Sequence, residues 1–569
     1  MAQVTIPGSA ANTPGTQIVE TFNSPASLTL AQQIAAALLA AVSPPFLTVT
    51  SVSGAGAVVP PPPSNFGGPG QPENELVLGN GGPYTIPAGS ANHPDYVVVL
   101  DNSTGISVTA QPTSTIVGGM APVTITGGSL IALADAASGA SPADTVILRT
   151  TDTGASVAGN NGADTLKSFG NNNTITTGVG TNFVAMGGSG DLANVNGSGD
   201  AVWGGASAIG VNDTGTNDVI GLGAGGGNVT LSGSGARAYG LEGVTAVVGA
   251  VISGTNNGVI NLGTGPVNAT ITGGSADGVA GGGGALTVDQ TGGSGDGVYP
   301  GTGSLTATIG GAATTVYGAY SSSESVTVNA ANAVIGASSG LANVLMGASG
   351  SGSVYGWSGT LNFVGGALAA TVYGGSGAET LTAGTGALID VSGAGNTTIL
   401  GSSGPVSVEG SGSVTLFGAN GIVGTDASSG AFLFEAGGGN ETLNASQSTG
   451  PAYLIGGTVA GSAVSMVGGK GSNVLIAGVG NDTLVAGSGP DAMWFYKPAL
   501  AAAPHDFVSN FNVADNVFLL GYGAGAAAAA LTNAVSAGGS TTLTLSDNTQ
   551  ITFNGVASAS GLTGHIFST

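Results

Sequence analysis

From about Thr150 onward, apolar residues alternate with small or polar ones for three to five positions, break at glycine, and start again. NDVIGLG, NVTLSGSG, GVINLGTG, NATITGG, ALTVDQTGG, SLTATIGG and TTVYGAY are successive words of this kind. Alternation with period two predicts strands buried on one face, and breaks rich in Gly, Asn, Asp and Ser predict tight turns. No single word is long enough to bury a face by itself. A regular recurrence of about nine to ten residues therefore predicts stacking, with two words to a coil of about 18–20 residues. Residues 151–495 read as a Gly-rich, all-β, long parallel β-solenoid, β-roll or β-helix like, of on the order of 17–19 coils.

The flanking segments differ in pattern. Residues 1–58 form an N-terminal β-rich arm: extended AQVTIPGS, the apolar run IAAALLAAV, then strand-like FLTVTSVS. The run predicts a short buried helix within Leu30–Val42. It is too short to span a bilayer, and no Lys or Arg precedes it as a secretory signal requires. VVPPPPSNFGGPGQP marks a Pro-rich linker, residues 59–73, which favours an extended spacer and cannot lie in a central strand. Residues 74–150 (ELVLG, DYVVVLD, APVTITGG, DTVILRT) read as a β-rich start of the solenoid. Residues 496–569 read as a C-terminal capping module, with a short helix at Ala526–Ala530 and a hairpin turning at Asp547–Asn548.

Composition narrows the function classes. The 569 residues include 108 glycines, no cysteine, 29 acidic and only 5 basic residues, for a net charge of -24. No Gly-X-Y period holds, so the glycine is not collagen-like. The five cations are scattered, which excludes the basic stripe that nucleic-acid binding needs. Such a charge attracts divalent cations and opposes insertion into an anionic membrane.

One block carries a sharper signal. GGKGSNVLI, AGVGNDTLV and AGSGPDAMW, at 468–494, repeat the nonapeptide GGxGxDxUx of calcium-binding β-rolls. Position six holds Asn473, Asp482 and Asp491. Calcium takes six to eight oxygens, which carboxylates and turn carbonyls of stacked coils can supply, so Asp482 and Asp491 are the first candidate ligands and Asn473 the next. Eroded copies place Asp164, Glu379 and Glu441 at the same position. The competing reading is an Asn/Asp ladder that only stabilises turns.

These nonapeptides, followed by D-x-V-x-x-F-x-x-x-D-x-V-x-L at Asp506–Leu519 and a terminal strand pair, resemble the end of RTX-type proteins exported by type I systems. The resemblance implies an uncleaved C-terminal export signal read by an ABC-type exporter, an extracellular or cell-surface location, and calcium as the bound ion. The composition is similar to bacterial surface-layer and extracellular matrix proteins. The expectation is thus a non-enzymatic, self-assembling homo-oligomer or polymer, with cell-surface polysaccharide as a further partner, no nucleic acid and no membrane insertion. The N-terminal arm is expected to dock on a neighbouring subunit.

Two alternatives remain. A polysaccharide-active β-helix would use Asp213 and Asp218 as paired carboxylates in an outward cleft. A secreted adhesin would cluster aromatic side chains on one face, whereas Trp203, Trp357 and Trp494 are dispersed. His93, His505 and His565 form no metal motif, and GASSG at Gly336–Gly340 lacks the context of a nucleophile elbow.

Overall fold

A computed structural model describes residues 2–7, 17–42, 47–63, 74–90, 95–320, 322–401, 404–419, 421–459, 461–498 and 503–569. They divide into two compact units, residues 1–288 with 292–294, and residues 289–291 with 295–569. Both are built as parallel β-solenoid, about 22 turns in all, and two α-helices are the only ones among the described residues.

In the first unit, successive strands fall alternately into two sheets. Thr165–Ser168 and Phe183–Met186 belong to one, while Ser156–Ala158 and Thr174–Thr176 belong to the other. Thr165 lies opposite Phe183, then Ala201, Val219 and Arg237, always one coil further on. The step is 18 residues, as in the bond between Asn182 and Asp200. Alternate side chains point inward: Val157, Ile175, Ala193, Val211 and Val229 form one buried column, faced by Leu166, Val184, Val202 and Ile220. Burial of each branched side chain stabilises by about 1.5–3 kcal/mol, which is how strands of three to five residues hold.

Glycine does a specific job at the corners. Gly162, Gly180, Gly197, Gly215, Gly233, Gly254 and Gly274 stack coil on coil, each against the carbonyl oxygen of the one before. A Cβ on the later members would overlap that oxygen, so no other residue fits.

The N-terminal segment departs from the expected arm in three ways. Strands β1 (Ala2–Ile6) and β2 (Ile18–Phe22) pair antiparallel, and helix α1 runs from Pro25 to Val42, longer than the Leu30–Val42 segment. Strand β3 (Thr48–Ala55) pairs in parallel with β4 (Asn74–Gly82), so it belongs to the solenoid sheet. The hairpin and α1 lie on this chain's own first coils. Phe22, Ile34 and Leu38 pack with Val77, Val99, Val117 and Ala132, which form one outward column of that sheet. Both faces of these strands are therefore buried, which explains why YVVVL is apolar at every position. Of the linker, Pro60 and Pro61 carbonyls accept from the Tyr96 hydroxyl, and residues 64–73 lie outside the described residues.

In the second unit the inward column is bulkier: Val326, Val344, Phe363, Leu381, Ile399, Leu416, Phe434, Leu454, Leu475, Met493 and Val517. The C-terminal module closes both sheets. Gln550–Asn554 extends one beyond His505–Ser509, and Ile566–Ser568 extends the other beyond Asn516–Leu520. The hairpin partner Ser540–Thr544 turns at Asn548, whose φ of 68 is the left-handed conformation a tight turn asks for. Helix α2 (Ala526–Thr532) matches the alanine-rich run.

Candidate functional site: an internal carboxylate ladder

All six candidate ligands are buried, between 0% and 4% exposed, at the start of a strand just after a corner. Their oxygens face backbone amides. The Asp482 carboxylate accepts from the amide N–H of Val464, one coil back, at 2.8 Å and from Gly478 at 2.6 Å. Asp491 accepts from the Asn473 backbone at 3.2 Å, the Asn473 side-chain amide at 2.6 Å and Gly487 at 2.5 Å. Asp164 repeats this with Asp144 and Asn160, both at 3.0 Å. Glu379 and Glu441 keep the bond within the corner, accepting from Gly375 at 2.6 Å and Gly437 at 3.2 Å.

The arrangement is a chain of caps, each side chain holding the amide of the coil before it. Val123, Asp144, Asp164, Asn182 and Asp200 donate in turn to Asp144, Asp164, Asn182, Asp200 and Asp218. At the C-terminal end Asp506 caps Asp482 and Asp515 caps Asp491. Asn182 occupies a rung between aspartates, so the position asks for an acceptor oxygen rather than a charge. Asp144 and Asp200 were not singled out from sequence, Asp218 was weighed only as one of a carboxylate pair, and Asp506 and Asp515 only as parts of the C-terminal motif; recurrence at 164, 182, 200 and 218 was the available signal.

Burial without a countercharge sets the electrostatics. Desolvation pushes Asp164 and Asp506 up to about 7, and Asp144 and Glu324 up to about 8, against amide bonds that pull the other way. It also raises Asp482, Asp491, Glu379 and Glu441. Asp213 and Asp218 are both fully buried, rather than lining an outward cleft. Burial raises both, and burial with the nearby Asp213 charge lifts Asp218 to about 8.

Amide donors hold both oxygens of Asp482 and of Asp491, and no group of three or more His, Cys, Asp or Glu side chains suited to a metal exists among the described residues. The turn-stabilising ladder describes the geometry. Among the six candidates, Asn473 Oδ1 and Glu441 Oε1 are buried with no hydrogen-bond partner, while Asn473 Nδ2 donates to the carbonyls of Gly469 and Gly471.

The other motifs add no side chain to this carboxyl ladder, although His565 meets the backbone of Asp515. Ser338 of GASSG is buried, His93 lies outside the described residues, and His505 and His565 bond locally to Thr552 and to the Asp515 carbonyl. Trp203 and Trp357 are exposed, and Trp494 packs edge-on against Tyr496 and Phe518. Two exposed tyrosine pairs, Tyr299–Tyr317 and Tyr355–Tyr373, stack across adjacent coils. The sequence reading passed over them, although the words VYP and VYG mark each one.

The fold and the ladder define a class: a two-sheet parallel β-solenoid capped internally by its own carboxyl groups. No family model, no curated protein and no solved structure matches the chain. No helix among the described residues is long and apolar enough to cross a membrane.

Proposed function

We propose that the chain is an exported structural protein, a subunit of an extracellular surface layer, filament or matrix. The observation that carries this reading is the direction of its polar chemistry. Carboxyls recur along both units but turn inward to cap backbone amides. The outward rows in between are largely small, uncharged or apolar side chains. Such a module resists acid and chelators and offers flat faces to neighbours. The C-terminal module, resembling type I substrates, supports an ABC-type export route. Calcium enters this proposal only through the nonapeptide register at 468–494, and its binding there requires the corner amides to give way.

Negative-stain microscopy and light scattering of the purified full chain, with millimolar calcium and with chelator, test the reading. Ordered filaments or sheets are expected. A monomer under both conditions, at concentrations where surface proteins assemble, overturns it.

A further inference from the structure

One outward row of the second unit departs from the small-residue pattern. On this sheet Val298 lies opposite Val316 and Val316 opposite Ile335, which sets Tyr299, Tyr317 and Gly336 in one row. The row continues from Gly336 to Tyr355 and Tyr373. Tyr299 and Tyr317 stack with centroids 4.4 Å apart and planes 13° apart. Tyr355 and Tyr373 stack at 4.6 Å and 7°. Each separation is close to the ~4.8 Å step between parallel strands, so the rings pile up along the coil direction. The ladder therefore runs ring, ring, gap, ring, ring, with the gap at Gly336.

The gap is open. Atoms nearest to a side-chain position on Gly336 are the backbone of Gly318, Val316 and Tyr317, at 3.2, 3.5 and 3.8 Å, with no ring among them. Gly221 makes the contrast, since there the Trp203 ring covers the glycine. Tyr317 and Tyr355 remain 48% and 42% exposed. They stand two strand steps apart, about 9–10 Å, so one planar ring placed midway meets each at about the 4.5–5 Å of a normal stack. The row beside them holds Gly297, Thr315, Val334, Ser353 and Thr371, none of them charged.

We propose that this gap is a binding slot for an uncharged planar aromatic group, seated over Gly336 between the faces of Tyr317 and Tyr355. The occupant completes a ladder already built on both sides. Its two flat faces both match tyrosine, and the neutral row imposes no desolvation of charge. A small-molecule aryl group meets these terms.

The test uses a neutral molecular rotor, 9-(dicyanovinyl)julolidine, whose fluorescence rises when it is clamped, titrated into the full chain, with neutral phenyl compounds as competitors. Gly336→Tyr supplies the missing rung from within and is expected to lower dye affinity at least tenfold. Tyr317→Ala and Tyr355→Ala each remove one wall and are expected to do the same, while Trp203→Ala leaves binding unchanged. Gly336→Ala adds one carbon 3.2 Å from the Gly318 nitrogen and leaves the slot open, so its retained binding separates a filled slot from a lost glycine. Circular dichroism melting establishes that each variant is folded. Unaltered affinity in folded Gly336→Tyr overturns the proposal, as does equal loss in Trp203→Ala. Displacement by cellohexaose but by no phenyl compound assigns the slot to a sugar ring and overturns the aromatic class.

Discussion

Asp482 separates a ladder that needs an acceptor from a site that needs a charge. Its two oxygens satisfy the Val464 and Gly478 amides at 2.8 and 2.6 Å, and it is fully buried. Asp482→Ala leaves one buried and one part-buried N–H group without acceptors, at about 1–3 kcal/mol for the buried one and less for the other, so a net loss of about 1–3 kcal/mol is expected once the relief of a desolvated carboxyl is set against it. Asp482→Asn retains one acceptor oxygen for Val464, as Asn182 does for Asp164. Its side-chain N–H groups then face the Gly478 corner, where rotation of one peptide gives the Asn473 arrangement, with donation to corner carbonyls. A loss of about 1 kcal/mol follows for that variant, one acceptor bond of the two being re-formed in another guise.

Because a solenoid unfolds section by section, the assay must be local. Amide hydrogen exchange at Val464 and Gly478 should accelerate sharply in Asp482→Ala and mildly in Asp482→Asn, with amides of the first unit unchanged. Chelator should leave the wild-type rates where they are. Equal damage from Asn and Ala, together with chelator-sensitive exchange, would refute the ladder and favour a calcium ligand.

Other outcomes follow from the same structure. The raised carboxyls bind protons in the fold that they release on unfolding, so their contribution is complete below about pH 4 and is lost as pH rises through their folded values of about 7 and 8; the melting temperature should be higher at pH 5 than at pH 9. Asp218→Asn keeps an acceptor for the Asp200 amide and cannot ionise, so its stability relative to wild type should grow as pH rises from about 4 to about 8 and level off above that in paired thermal melts. Leu38→Ala, at a fully buried contact of α1, should cost about 2–5 kcal/mol locally and show as fast exchange confined to α1 and the strands beneath it. A passenger protein fused to residues 468–569 should leave a cell that carries a matching ABC-type exporter, measured by immunoblot of the medium; retention inside would defeat the export proposal.

The 18-residue step was legible because every coil must solve the same problem, and inward Val, Ile and Leu at period two have few other uses. The C-terminal hairpin was legible for a local reason, Asp547–Asn548 being a turn pair between alternating strands. The first coils were harder. YVVVL has no polar face, and only the structure shows that Leu38 and Phe22 cover its outer side. The candidate ligands fall on the recurring corner positions, yet an aspartate after a glycine corner reads the same whether its oxygens meet a cation or an amide; peptide orientation at Gly478 and Gly487 is not reported by residue type.

That limit points to where function can be read in such a chain. Inward and corner positions recur because the backbone demands them, so a carboxylate there, however regular, is weak evidence of chemistry. Outward positions face no such demand. A bulky residue that returns there at the coil period, as tyrosine does at 299 and 317 and again at 355 and 373, is not required by the fold. An interruption of that period at one rung, as at Gly336, is a choice the fold does not force either. Periodicity first reveals the architecture; its outward breaks then mark the places where a ligand has something to fill.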